Sequence, residues 1–382
     1  IPGWKAWYYV GPLRADAMLF FENSANSGDF SAYPILEFGT DAYTFQLFTD
    51  DNGNIHILNN THIAYYLKSE DGGFSYSVDT VFTYDDFNLK EGVFGGGREA
   101  AAEGRNNRVI GSSLAVSPDG QKVAVVGQDI MSDVGYIISS DGGYTWSSVE
   151  MVFGYTGMPV EGDSVNIRPA WKNSAIFDND GNLHIAFSAA YYLDGSDGRI
   201  KSEYRTKNAI TTGPIFLKDY KDKIMHYSPA TGVNEVAVST CPEMDLSISH
   251  LPLANDYRKA FCTQPTLAMD PDNGNIYVAY LQVSEKDAVR VPNEDHWIGP
   301  NFPGYPMYIG YGDIYVTGST DGGETWKQAT NVTNSQGFDE RFPYLFPRTF
   351  GGKLYLAFTG DTKAGGNDMY SVRGDFPLTG IY

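Results

Sequence analysis

One eight-residue pattern constrains this chain more than anything else in it, because it occurs three times. Ser319-Thr320-Asp321-Gly322-Gly323-Glu324-Thr325-Trp326 returns as Ser139-Ser140-Asp141-Gly142-Gly143-Tyr144-Thr145-Trp146, and in altered form as Ser69-Glu70-Asp71-Gly72-Gly73-Phe74-Ser75-Tyr76. The Asp can accept hydrogen bonds from N–H groups of its own turn, and the glycines tolerate positive φ. The hydroxyl residue ties the turn to the next strand, and the closing aromatic is expected to bury itself beneath it. Each copy follows an alternating apolar run (Ile314-Tyr315-Val316, Tyr136-Ile137-Ile138, Ala64-Tyr65-Tyr66), so each predicts a hairpin tip.

A second repeat runs beside the first: two apolar strands around a short Asp/Asn/Gly turn. Its copies pair 45–48 with 55–58, 113–116 with 123–126, 175–177 with 183–187, 266–269 with 276–280 and 344–346 with 354–358. The turns between them, such as Asp50-Asp51-Asn52-Gly53 and Asp178-Asn179-Asp180-Gly181, carry hairpin chemistry. They lack the spaced ligands and terminal Glu of a calcium loop, so no metal is expected of them. Helical periodicity is absent beyond a turn or two at Glu99-Ala100-Ala101-Ala102-Glu103.

The three box sequences resemble the Asp-box, or BNR repeat, of sialidase-type β-propellers and of many secreted propellers that are not sialidases. The resemblance spans roughly residues 41–372. It implies an all-β fold in which each box joins the third and fourth strands of a blade, on the face opposite an active site. It also implies a structural role for Asp71, Asp141 and Asp321. Five hairpins then predict a single β-propeller domain over residues 1–382, with five blades, or six if the two chain ends belong to different blades. The third blade lacks a box, and its outer strands are expected at Ile224–Tyr227 and Glu235–Val238. The fifth hairpin is followed only by Asp368–Val372. N-terminal strands at about 17–38 are therefore expected to complete the closing blade with 342–372, since an unpaired outer edge is a liability.

Composition narrows the partners. The formal net charge of −20 argues against a nucleic acid, whose phosphates call for clustered Lys and Arg. No run of about 18 apolar residues exists, so no membrane span is predicted. The chain begins at Ile1, which suits removal of a signal peptide or a fragment of a longer precursor, and a secreted or cell-surface location is expected. Cys241 and Cys262 are disulfide candidates; two unpaired thiols are the alternative. The six histidines show no zinc spacing, and no cofactor is expected.

Propeller geometry makes the connections informative. First-to-second and third-to-fourth turns share one face and are short here. The other face receives 84–108, 152–169, 189–223, 240–261 and 281–310, and long connections are where function is usually carried. Arg108, Arg168, Arg258 and Arg341 stand at inner-strand entries on that face. Two readings stand for them. They converge to hold a carboxylate, as sialidases grip their substrate, or they pair with Asp163, Asp256, Asp339 or Glu340 and pin loops. The chain departs from the sialidase pattern: Ile167-Arg168-Pro169 is a reordered Arg-Ile-Pro, and neither a Tyr–Glu nucleophile pair nor an Asp acid can be identified. The proline-rich 281–310 segment holds His296, Trp297, Phe302, Tyr305 and Tyr308, flat surfaces suited to sugar rings or a protein partner, or to packing on their own propeller. The leading expectation is a glycan- or protein-binding, or assembly, module whose partner is a glycan, an extracellular protein or another subunit of a surface assembly. The alternative is a sialidase-like exo-glycoside hydrolase.

Overall fold

The computed structural model describes residues 5–7, 17–22, 30–36, 44–60, 64–82, 113–128, 134–153, 158–159, 165–193, 222–238, 262–291 and 307–361. Its elements are all strands. Near the N-terminus β1 (Lys5–Trp7), β2 (Ala17–Glu22) and β3 (Phe30–Leu36) form an antiparallel three-stranded sheet. The first blade is β4 (Thr44–Thr49), β5 (Ile55–Asn60), β6 (Ala64–Ser69) and β7 (Val78–Phe82). The second is β8 (Ser113–Val116), β9 (Val123–Gln128), β10 (Val134–Ser139) and β11 (Glu150–Phe153). A short β12 (Met158–Pro159) joins β13 (Val165–Phe177), β14 (Leu183–Leu193), β15 (Lys223–Ser228) and β16 (Gly232–Val238) in the third. The fourth is β17 (Cys262–Met269), β18 (Ile276–Val291), β19 (Met307–Ser319) and β20 (Thr330–Asn331). A fifth hairpin, β21 (Asp339–Leu345) with β22 (Leu356–Asp361), follows.

Within each sheet every pairing is antiparallel between sequence neighbours, as short hairpin turns favour. Gly53, Gly120, Gly181 and Gly274 supply the positive φ of the first turns. The hydrophobic core is distributed over the seams between sheets. Leu58, Tyr66 and Phe82 meet Leu114, Val125 and Ile137 between blades one and two; Tyr136 and Phe153 meet Ile185 and Phe187 between two and three. Ile176, Ala186 and Ile224 meet Leu267, Val278 and Tyr280 in the next seam, and Leu281 and Ile314 meet Leu345 in the last. Sheets stacked face to face in chain order, each burying its flanks on its neighbours, are the arrangement of a β-propeller.

Polar groups lace the inner strands in the same order. The residue paired with Leu58, Ala186 or Ala279 is Gln46, Ser174 or Thr266. Each accepts a hydrogen bond from the next inner strand: Leu114 N–H to Gln46 Oε1 (2.6 Å), Leu267 N–H to Ser174 Oγ (3.1 Å) and Leu345 N–H to Thr266 Oγ1 (3.2 Å). The first turns are tied likewise. Asp51 N–H donates to Pro118 O (2.7 Å), Lys122 Nζ to Gly181 O (2.7 Å), Asn179 Nδ2 to Pro271 O (2.8 Å) and Met269 N–H to Pro347 O (2.9 Å). Arg348 Nη1 then stands 3.5 Å from Asp51 Oδ1, so the fifth hairpin meets the first and the circuit closes on itself.

The described residues thus show four full blades and the inner pair of a fifth. The segment 368–372, expected to extend that fifth blade, lies outside them, and among them β1–β3 pair only with one another. Cys262 is a wholly buried free thiol, whereas Cys241 lies outside the described residues. No helix among the described residues is long and apolar enough to cross a membrane.

Candidate functional site

The two faces of the ring are built differently, and the box turns occupy one of them. At Asp141, Ser139 Oγ donates to Oδ1 (2.8 Å), Thr145 N–H to Oδ1 (2.8 Å) and Thr145 Oγ1 to Oδ2 (2.6 Å), while Gly143 N–H donates to Ser139 Oγ (2.8 Å). Asp71 and Asp321 repeat the set through Ser69 and Ser75 and through Ser319 and Thr325. Hydrogen bonds led by Ser75 hold the Asp71 carboxyl down at about 2, and those led by Thr145 do the same for Asp141. These aspartates are spent on their own turns.

The closing aromatic also reaches the neighbouring sheet. Trp146 packs edge-on against Tyr66 (5.1 Å) and Phe82 (4.8 Å) of the preceding blade, and Trp326 against His226 (5.2 Å), also of the preceding blade. A box turn therefore clamps its neighbour. Beneath the clamp runs a buried polar chain. His56 lies 3.4 Å from Asp50 through Nε2 and 2.7 Å from Tyr66 Oη through Nδ1. An ionised Asp only accepts, so Nε2 carries the proton and Nδ1 accepts from the tyrosine. In the third blade His184 bridges Asp178 (3.2 Å) and His226 (3.0 Å) in the same way. Burial lowers the pKa of His226 to about 3 and also lowers that of His56, so both are neutral. On this face the turns are tied to one another.

On the opposite face the strands outgrow the blades. Within the third blade β13 and β14 continue past Pro169↔Ala189 to Val165↔Leu193, and β12 pairs alongside at Met158↔Ile167. In the fourth, β18 and β19 continue past Val283↔Gly312, across a register shift, to Ala288↔Gly310 and Val291↔Met307. Eight residues beyond Val283 amount to a reach of roughly 25 Å if straight. The 152–169, 189–223 and 281–310 connections thus contain paired β-arms. Glu285-Lys286-Asp287 interrupts the apolar alternation at the shift, which is why the arm does not read as a strand from sequence. Both arms leave from second strands of equivalent direction, on the face away from the laced turns.

Beneath the arms the inner strands carry a repeated irregularity. Lys172, Gln264 and Phe342 have φ of 134°, 56° and 54°, each within a register shift of β13, β17 and β21. Positive φ at non-glycine residues costs energy that the surrounding contacts must repay. Here Gln264 Oε1 accepts Phe342 N–H (2.8 Å), and Asn173 Nδ2 donates to Gln128 Oε1 (3.0 Å). At the entry of β21, Arg341 Nε donates to Asp339 Oδ2 (2.6 Å), and Gly312 N–H donates to Asp339 Oδ1 (2.6 Å). Glu340 faces the other way, accepting from Ser335 Oγ, whose own N–H donates to Asp313 Oδ1 (3.3 Å).

Of the sequence-predicted residues, Arg341 is buried and paired with Asp339, the loop-pinning alternative. Arg168 occupies the third-blade arm opposite Ala190, and Tyr308 the fourth-blade arm opposite Arg290. Arg108, Arg258, His296, Trp297, Phe302 and Tyr305 lie outside the described residues. Asp313 and Gln264 carry no motif in the sequence. Their only signal is a polar residue inside an apolar strand, and their partners are remote in the chain. Among the described residues no group of three His, Cys, Asp or Glu side chains is placed to hold a metal ion.

No protein-family model matches the chain, and no curated protein matches it. Solved structures to which it is similar include the α-L-arabinanase of Penicillium chrysogenum in complex with arabinobiose, at 10% identity over 94% of this chain and 84% of that one, TM-score 0.45. The Hadza microbial sialidase Hz136 is 11% identical over 93% and 72%, TM-score 0.38. The catalytic domain of the Coprinopsis cinerea GH62 α-L-arabinofuranosidase is 11% identical over 86% and 87%, TM-score 0.38.

Proposed function

We propose that this chain is a secreted or cell-surface recognition module that holds a glycan or an extracellular protein on its long-connection face. The observation that carries the reading is the pair of β-arms rising from adjacent blades on one side of a ring whose other side is tied down turn by turn. A rigid scaffold presenting extended elements on a single face is how binding surfaces are usually built. The Asp-box identity of the turns and the sialidase-like character of the propeller belong to the same proposal. Trp297, Phe302 and Tyr305, which lie between β18 and β19 in the sequence, serve as its aromatic anchors, together with His296 and Tyr308.

The hydrolase alternative needs arginines free to grip a carboxylate, and Arg341 is committed to Asp339. Binding needs only a complementary surface, which favours recognition. A glycan-array screen run beside assays with fluorogenic sialosides and other aryl glycosides tests this. Binding without turnover, weakened tenfold or more by Trp297→Ala (about 1.4 kcal/mol), is the expected result. Turnover abolished by Arg168→Ala would replace the proposal with the enzyme reading.

A further inference from the structure

The root of the fourth-blade arm is gripped by the entry of the fifth blade. Gly312 pairs with Val283 where the register of β18 shifts, and Gly310 is the first β19 residue beyond the shift. Two glycines around Tyr311 make this the pliant point of the arm. Gly312 is held tightly nonetheless. Its N–H is bonded to Asp339, and a Cβ there would lie 3.0 Å from Glu340 O and from Leu281 Cδ1. One residue further on, Asp313 shares Ser335 with Glu340.

We propose that Glu340 stands here as the neutral acid and donates its proton to Asp313, making the arm root a pH-sensitive joint, closed in mildly acidic medium and loosened as that proton leaves. Both carboxyl groups are buried, at 2% exposure for Glu340 and 4% for Asp313, and Ser335 binds both. Asp313 Oδ2 takes Asn331 Nδ2 at 2.7 Å and Oδ1 takes Ser335 N–H, while Glu340 Oε1 takes Ser335 Oγ. Glu340 Oε2 is left buried with no hydrogen-bond partner. A carboxyl hydrogen on that oxygen meets the need directly. A divalent cation does not, because it asks for about six or more oxygens and the other three here already accept hydrogen bonds.

The charged surroundings agree. From β21 come Asp339 and Arg341, which are paired with each other, and from β19 come Asp313 and Tyr315. Arg341 is therefore committed to Asp339, while Asp313 shares Ser335 with Glu340. Burial first, and then Asp313, raise the Glu340 carboxyl from 4.5 to about 7 against the opposing bond from Ser335. A folded value above the unfolded one means that the native state binds more protons between pH 4.5 and 7, so stability falls as pH rises through that window.

The joint stands whatever the arm holds; its use in releasing a ligand as pH rises rests on the recognition reading above. The test is amide hydrogen exchange, corrected for its intrinsic pH dependence, and thermal unfolding of the full chain from pH 4.5 to 8. Wild type is compared with Glu340→Gln and Asp313→Asn, in chelator and with added calcium chloride. Protection of amides 307–314 should fall roughly tenfold or more across the window in wild type and stay level in Glu340→Gln. Equal pH dependence in the two, or restoration of wild-type protection at pH 8 by calcium, overturns the proposal. Should Glu340→Gln fail to fold, carbon-13 titration of the wild-type Glu340 carboxyl decides: a midpoint above about 6 supports the shared proton, and one near 4.5 refutes it.

Discussion

Gly322 and Gly323 both take positive φ in the same turn, yet they answer to different demands. A Cβ on Gly322 meets nothing within 4 Å, whereas one on Gly323 would lie 2.2 Å from His226 Cε1. Alanine at Gly322 should therefore cost only backbone strain, about 1 kcal/mol. Alanine at Gly323 adds displacement of a buried ring, for a total of roughly 3–5 kcal/mol. Chemical denaturation of the two variants measures the difference; equal losses would mean that the ring does not pack on the glycine. The glycines were legible in the sequence because turn chemistry is local. What Gly323 touches was not, because His226 lies almost a hundred residues earlier and meets it only across a seam.

Among elements, the hairpins were placed correctly from alternation and turn residues, and the box turns proved to be third-to-fourth connections. The arms escaped notice because charged residues at the register shift break the alternation. Their pairing also depends on a partner strand some twenty residues away. The histidine chains, which start from equivalent second-strand positions, join groups that only the folded sheets bring together. Their acid response now follows from structure. A folded His226 value of about 3, below the unfolded 6.5, means that the unfolded chain binds more protons in between, so stability is lost as pH falls through that range. His226→Tyr reproduces the arrangement of the first blade, where Tyr66 donates to His56. The variant should fold at neutral pH and move its acid-unfolding midpoint downward. An unchanged midpoint, read by tryptophan fluorescence, would exonerate His226.

At the scale of the whole molecule, the ion pair that closes the circuit of turns is a poor candidate for what holds it closed. Arg348 and Asp51 are 31% and 69% exposed, 3.5 Å apart, and such pairs contribute about 0–1 kcal/mol. Leu345 is 1% exposed in the seam between the fourth and fifth blades, and its truncation should cost about 2–5 kcal/mol. Thermal unfolding of Arg348→Ala and Leu345→Ala should differ accordingly; a larger loss in the arginine variant would show that closure is electrostatic. The number of hairpins could be counted in the sequence, but closure could not, since it joins residues nearly 300 positions apart.

The clamps have a consequence of parity. Box turns press backward onto a flat ring at two seams, Gly143 on Tyr66 and Gly323 on His226, and the seam between those two has no box. Among the described blades the clamp therefore alternates from seam to seam. The first blade carries a box turn of its own, with Gly73 at φ 93°. That glycine is a mould. A planar side chain set against it from a neighbouring sheet would repeat the clamp that Tyr66 and His226 complete in theirs.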